Sequence, residues 1–171
     1  MSVASKISEI RAALPTGVTL VAVSKFHPAE AILEAYGAGQ RIFGESRVQE
    51  LKLKAQSLPK DIEWHMIGHL QTNKVRTIAP FVSLIQSVDS VKLAKEISRC
   101  ALKNNLIMDI LVEINIGEEA SKSGTSPQEA LELVDEISKL EAIRVRGLMS
   151  IPPICQKKEE SLHYFSRLKQ I

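Results

Sequence analysis

The sequence contains no apolar run approaching the ~20 residues of a membrane-spanning helix. Its first ten residues, Met1 to Ile10, mix apolar with polar and charged side chains. They lack the continuous apolar centre of a secretory signal. Cysteine is scarce. Cys100 and Cys155 stand far apart, which leaves no zinc-type cluster and predicts reduced thiols in a cytoplasmic protein. Charge of one sign is also scarce. A net charge of +2 provides no unbalanced basic field for nucleic acid. Glycine-rich phosphate loops are missing: neither G-x-G-x-x-G nor G-x-x-x-x-G-K-[ST] occurs, which lowers a nucleotide-binding reading.

What is present fits a globular chain. Hydrophobic residues at 44% supply a sizeable core, and charged residues at 25% argue against disorder. A length of 171 residues predicts one domain, residues 1–171. Along it, helix and strand patterns alternate about six times. Helices are expected at Ser2–Leu14, Pro28–Ala38, Val48–Leu58, Asn73–Ile78, Ser90–Asn104, Ser126–Leu140 and Lys157–Ile171. Strands are expected at Val18–Val23, Arg41–Phe43, Glu63–Ile67, Val82–Ile85, Met108–Ile116 and Ile143–Met149. Val48, Leu51, Ala55 and Leu58 should face inward on one helix, and Leu162, Phe165 and Leu168 on the last. Near-continuous apolar strands joined by helices imply a parallel sheet covered on both faces. A doubly wound open sheet and a (β/α) barrel compete. The absence of a glycine turn after the first strand favours the barrel, although a complete barrel needs eight units.

In both architectures ligands bind where the strands end. The strand ends here are polar: Ser24-Lys25, then Gly44 to Arg47, then His65, Gly68, His69, Gln71 and Asn73-Lys74. Gln86, Ser87 and Asp89 follow, then Asn115 to Lys122, then Met149 and Ser150. A solvated rim has the same composition. Lys25 is more specific. Partial desolvation at a barrel mouth would lower its pKa, and a neutral amine forms imines with carbonyls. A lysine whose ammonium snorkels to water fits the same position. His65 and His69 straddle a strand end and Gly68, which disfavours a shared metal. Glu118 and Glu119 read as a solvated pair rather than paired catalytic carboxylates. Lys74 and Lys122 are rim lysines, and Trp64 reads as core.

Six segments, in order, resemble the pyridoxal phosphate homeostasis protein family, whose members are alanine racemase-like barrels. They are AVSKFHP (Ala22–Pro28), FGESRVQE (Phe43–Glu50), WHMIGHLQTNK (Trp64–Lys74), SVDS (Ser87–Ser90), EINIGEEASKSG (Glu113–Gly124) and RGLMSIPP (Arg146–Pro153). The resemblance implies a (β/α)8 TIM-barrel fold, with pyridoxal 5'-phosphate held on Lys25 as a Schiff base. It implies a role in vitamin B6 and amino-acid homeostasis with little or no catalysis. A pyridoxal phosphate-dependent racemase and a Schiff-base aldolase are the alternatives. The cofactor-binding candidates are Lys25, Ser46, His65, Asn115 and Met149, of which His65, Asn115 and Met149 also have plain structural readings. No catalytic residue or metal ligand is expected. Apoenzymes that use the cofactor are candidate partners, and a monomer or weak dimer is expected, with no nucleic acid or membrane. Two departures stand out. Ser46 replaces the asparagine usual in the family. The family also continues for two more strands, with an SMGMS-like phosphate loop and an RIG-like segment, and neither motif occurs before Ile171.

Overall fold

A computed structural model describes residues 2–119 and 121–171; Met1 and Ala120, the latter within the fifth motif, lie outside the described residues. Six strands form one sheet in the order β1(Ala22–Val23), β2(Ile42–Glu45), β3(Glu63–Met66), β4(Val82–Val88), β5(Met108–Glu113), β6(Ile143–Met149). Every pairing is parallel. Sequential parallel neighbours require a crossover after each strand. Helices α2(Ala29–Gly37), α3(Val48–Ser57), α4(Val75–Ile78), α5(Val91–Lys103) and α6(Ala130–Ser138) supply these connections. Helix α1(Val3–Ala13) precedes β1, and α7(Lys158–Gln170) follows β6. This is the strand order of a (β/α) barrel rather than of a doubly wound sheet, whose order reverses at a switch point.

The core lies between the sheet and its helices. Phe43, Trp64, Met66, Ile85, Ile110 and Val112 point from the strands toward Leu51, Ile97 and Ile137 of the helices, and all are buried. The Phe43 and Trp64 rings pack at 5.9 Å. Helix α5 has the clearest stripe: Leu93, Ala94, Ile97 and Ala101 are buried on one face. Its cap is Ser90, whose hydroxyl accepts from the Leu93 amide at 3.4 Å. Ser90→Ala should cost about 1 kcal/mol by leaving that amide unpaired. Urea unfolding checks this, and an unchanged midpoint would count against the cap.

Several boundaries move for physical reasons. The first strand keeps only Ala22–Val23 of the expected Val18–Val23. It lies at the sheet edge, and the Gln40 side chain takes the Leu20 carbonyl at 2.8 Å, a group that would otherwise enter the ladder. The fifth strand stops at Glu113 rather than Ile116 because the chain turns to meet Thr125, which bridges Ile114. The 73–78 helix starts as a 3-10 turn at Thr72–Lys74. The helix expected from Ser126 starts at Ala130, after a turn in which Ser126 bonds the Glu129 amide and carboxylate. On α7 Tyr164 and Leu168 pack against the core, while Leu162 and Phe165 are exposed. Among the described residues strand β6 is the other sheet edge.

Candidate functional site

Strand residues alternate between the helix side and the barrel interior. Phe43 and Glu45 of β2 face the helices, where Glu45 meets Lys54 of α3 at 2.6 Å. Gly44 and the residues in register with it therefore face inward. The C-terminal strand ends converge on a cleft of about 290 Å³, near the lower limit of small-molecule sites, about 300 Å³. Lys25, Ser46, Gly68, Glu113, Asn115 and Lys122 contribute to its lining.

Three of the five candidates, Lys25, Ser46 and Asn115, line this one cleft from three strand ends. Lys25 is exposed, contrary to the partial desolvation expected of a barrel-mouth lysine, because β1 has a sheet neighbour on one side alone among the described residues. Ser46 is half-buried and touches the next strand end. Asn115 uses its side chain locally: Nδ2 donates to the Glu119 carbonyl at 2.8 Å and Oδ1 accepts from the Glu119 amide at 3.2 Å. It shapes the loop that walls the cleft. The other two candidates are outside the lining. His65 is buried below the cleft, its Nδ1 accepting from Gln86 Nε2 at 2.9 Å, and burial pushes its pKa down. Met149 is half-buried at the end of β6, in register with Glu113, and its carbonyl accepts from the Ile114 amide at 2.8 Å.

Two glycines permit the close approaches. A Cβ on Gly68 would lie 2.5 Å from the Ser46 carbonyl oxygen and 2.8 Å from Ser46 Cα. Those atoms are backbone and cannot swing aside. Gly68→Ala should cost about 1–3 kcal/mol by forcing the β2 and β3 ends apart. Gly37→Ala, whose Cβ would meet nothing within 4 Å, is the control. Equal midpoints for the two variants in urea would refute the packing argument. Gly124 has φ +108°, with the position of its missing Cβ 2.6 Å from the Asn115 amide nitrogen.

Glu113 was missed by the sequence reading. It is 8% exposed, lines the cleft, and its Oε2 has no hydrogen-bond partner among the described residues. The available signal was a carboxylate inside the apolar run Ile110–Ile116, two residues on from Leu111 and hence on the interior face. Burial raises its pKa, the Asp89 carboxylate raises it further, and His69 opposes both. The folded protein therefore binds more protons than the unfolded chain from about pH 4.3 upward, and it loses stability as pH rises through that window. Glu113→Gln should stabilise the protein at pH 7 and gain little near pH 4. Urea unfolding at both pH values is the check, and an equal gain at both would exclude the carboxyl as the cause.

The lining fits an aldehyde cofactor in kind: an exposed primary amine, a hydroxyl, an amide and one unpartnered buried carboxyl share one cleft. Comparison with known proteins agrees. The alanine racemase N-terminal domain family matches residues 2–171. The pyridoxal phosphate homeostasis protein of Aquifex aeolicus is 42% identical over 153 residues, covering 89% of this chain and 67% of that protein. PipY of Synechococcus elongatus, solved with pyridoxal phosphate bound, superposes with a TM-score of 0.89 at 36% identity, over 99% of this chain and 79% of that one. Its cofactor-free form gives a TM-score of 0.91 at 37% identity, covering 99% and 80%. Alanine racemase of Clostridium difficile, at 16% identity and a TM-score of 0.82 over 98% of this chain and 45% of that one, shares the fold. The chain belongs to the alanine racemase N-terminal domain family and, within it, to the pyridoxal phosphate homeostasis proteins.

Proposed function

We propose that this protein binds pyridoxal 5'-phosphate as a Schiff base on Lys25 and acts in vitamin B6 and amino-acid homeostasis, with little or no catalysis. The observation that carries this reading is the placement of Lys25. It is an exposed amine on a cleft at the strand ends of a barrel-type sheet whose PipY counterpart holds this cofactor. Imine formation needs a deprotonated amine. Once its ammonium proton has passed to solvent, the Lys25 amine would hold the cofactor through its aldehyde carbon, the aldehyde oxygen being released as water. When bound, the cofactor supplies an electron sink. Ser46 and Glu113 line the cleft and would hydrogen-bond a ligand there, and Asn115 shapes its wall.

The relatives named as homeostasis proteins support a carrier over an enzyme. A racemase excludes water and sets an acid and a base on opposite sides of the reacting carbon. A cytoplasmic setting matches the free thiols of Cys100 and Cys155. No helix among the described residues is long and apolar enough to cross a membrane. The test is to mix the protein with pyridoxal phosphate, reduce with borohydride and map the label by mass spectrometry. A label on the peptide carrying Lys25 supports the reading; a protein left unlabelled rejects it. Turnover of alanine at ~1 per second or more would favour the racemase alternative.

A further inference from the structure

Beneath Lys25 lies a charged cluster that the cleft itself does not use. Lys54 reaches up from α3 and is buried, with its side chain 10% exposed. Its ammonium donates to Glu45 Oε1 at 2.6 Å, to Glu50 Oε1 at 2.7 Å and to the Ser24 carbonyl at 2.8 Å, which occupies all three of its protons. Ser24 Oγ donates to the same Glu45 oxygen at 2.7 Å. The Phe26 amide donates to the same Glu50 oxygen at 2.9 Å. The residues on either side of Lys25 are thus tied to one buried cation. The turn closes on itself where the His27 amide meets the Ser24 carbonyl at 3.1 Å. Phe26 has φ +66°, a backbone conformation that a bulky residue keeps only where its surroundings over-determine it. The Arg47 guanidinium lies over its ring at 4.9 Å.

We propose that Lys54, bridged to Glu45 and Glu50, is the positioning residue for Lys25. It fixes the backbone before and after the reactive lysine, so the amine leaves a set point above the cleft although its side chain is exposed. The cluster acts on where the nitrogen stands when it meets an aldehyde. It does not touch the ligand. A proximity effect of this kind is large, because a displacement of about 1 Å can cost about 100-fold in rate. The inference rests on Lys25 being the lysine that takes the cofactor.

The experiment separates imine formation from plain binding. Pyridoxal phosphate reports the imine through its visible absorbance and borohydride trapping. Pyridoxamine phosphate carries an amine in place of the aldehyde and reports binding without a covalent bond. Lys54→Met and Glu50→Ala should each slow imine formation by about 10–100-fold, with pyridoxamine phosphate affinity unchanged. Lys54→Arg should recover part of the rate. Glu50 sits at the more exposed side of the cluster, with 24% of its side chain accessible, so Glu50→Ala remains informative if Lys54→Met does not fold. Unchanged imine rates in these variants would overturn the proposal. A parallel loss of imine and pyridoxamine phosphate binding would also overturn it, since that marks a general structural role. Failure of the unaltered protein to trap any label on Lys25 would overturn the underlying reading of the site, an outcome distinct from the other two.

Discussion

Lys25→Ala should abolish borohydride-fixed pyridoxal phosphate and the visible absorbance of the mixture, while leaving the unfolding midpoint nearly unchanged. The two halves of this expectation have different grounds. Chemically, an imine needs a primary amine within reach, and the cleft offers one other, Lys122. That ammonium is engaged by Glu119 Oε1 at 2.7 Å and the Pro152 carbonyl at 3.2 Å, on the far wall of the cleft. It is poorly placed to replace Lys25. Structurally, Lys25 is exposed, and a surface substitution of this kind usually changes stability by no more than about 0.5 kcal/mol. Loss of label with an intact fold would assign the chemistry to the side chain. Full labelling of Lys25→Ala, or transfer of the label to Lys122 at equal yield, would sink the assignment.

The strand ends, and with them the mouth, were legible because the pattern of apolar runs closed by polar residues depends on period and turn chemistry alone. Gathering Lys25, Ser46 and Asn115 at one mouth required nothing further than parallel order. What was illegible depends on which side of a residue faces which neighbour. Lys54 is the clearest case. The apolar pattern of its helix read Val48, Leu51, Ala55 and Leu58 as inward, and the structure buries Lys54 with Val48 and Leu51 while Ala55 is only half-buried. The i, i+3 step from Leu51 to Lys54 lies on the same face, but a lysine there reads as solvated until Glu45 is seen opposite it. Phe26 gave no hint of a positive φ, since aromatic residues seldom take one. Exposure of Leu162 and Phe165 was also hidden: amphipathic spacing marks an apolar stripe without showing what covers it.

Lys54→Met should be the most destabilising single change at this end of the molecule, by about 3–5 kcal/mol. Methionine replaces the stem at nearly equal volume, so the loss is electrostatic rather than a cavity. Glu45 is fully buried, and one of its oxygens, Oε2, already lacks a partner. Removing the cation leaves a buried carboxylate whose other oxygen keeps only the Ser24 hydroxyl. The Glu50 arm contributes less, since it is more exposed and an i,i+4 pair of this kind adds about 0.3–0.5 kcal/mol. For a chain of this size the single variant should lower the thermal midpoint by about 6–20 °C. Removing both charges, as Glu45→Met with Lys54→Met, should restore most of that loss, because the uncompensated buried charge is gone. Lys52→Met on the exposed face of the same helix supplies the baseline. If Lys54→Met unfolds no earlier than Lys52→Met, or if the double variant is less stable than the single one, the buried cation is not what holds Glu45 in place.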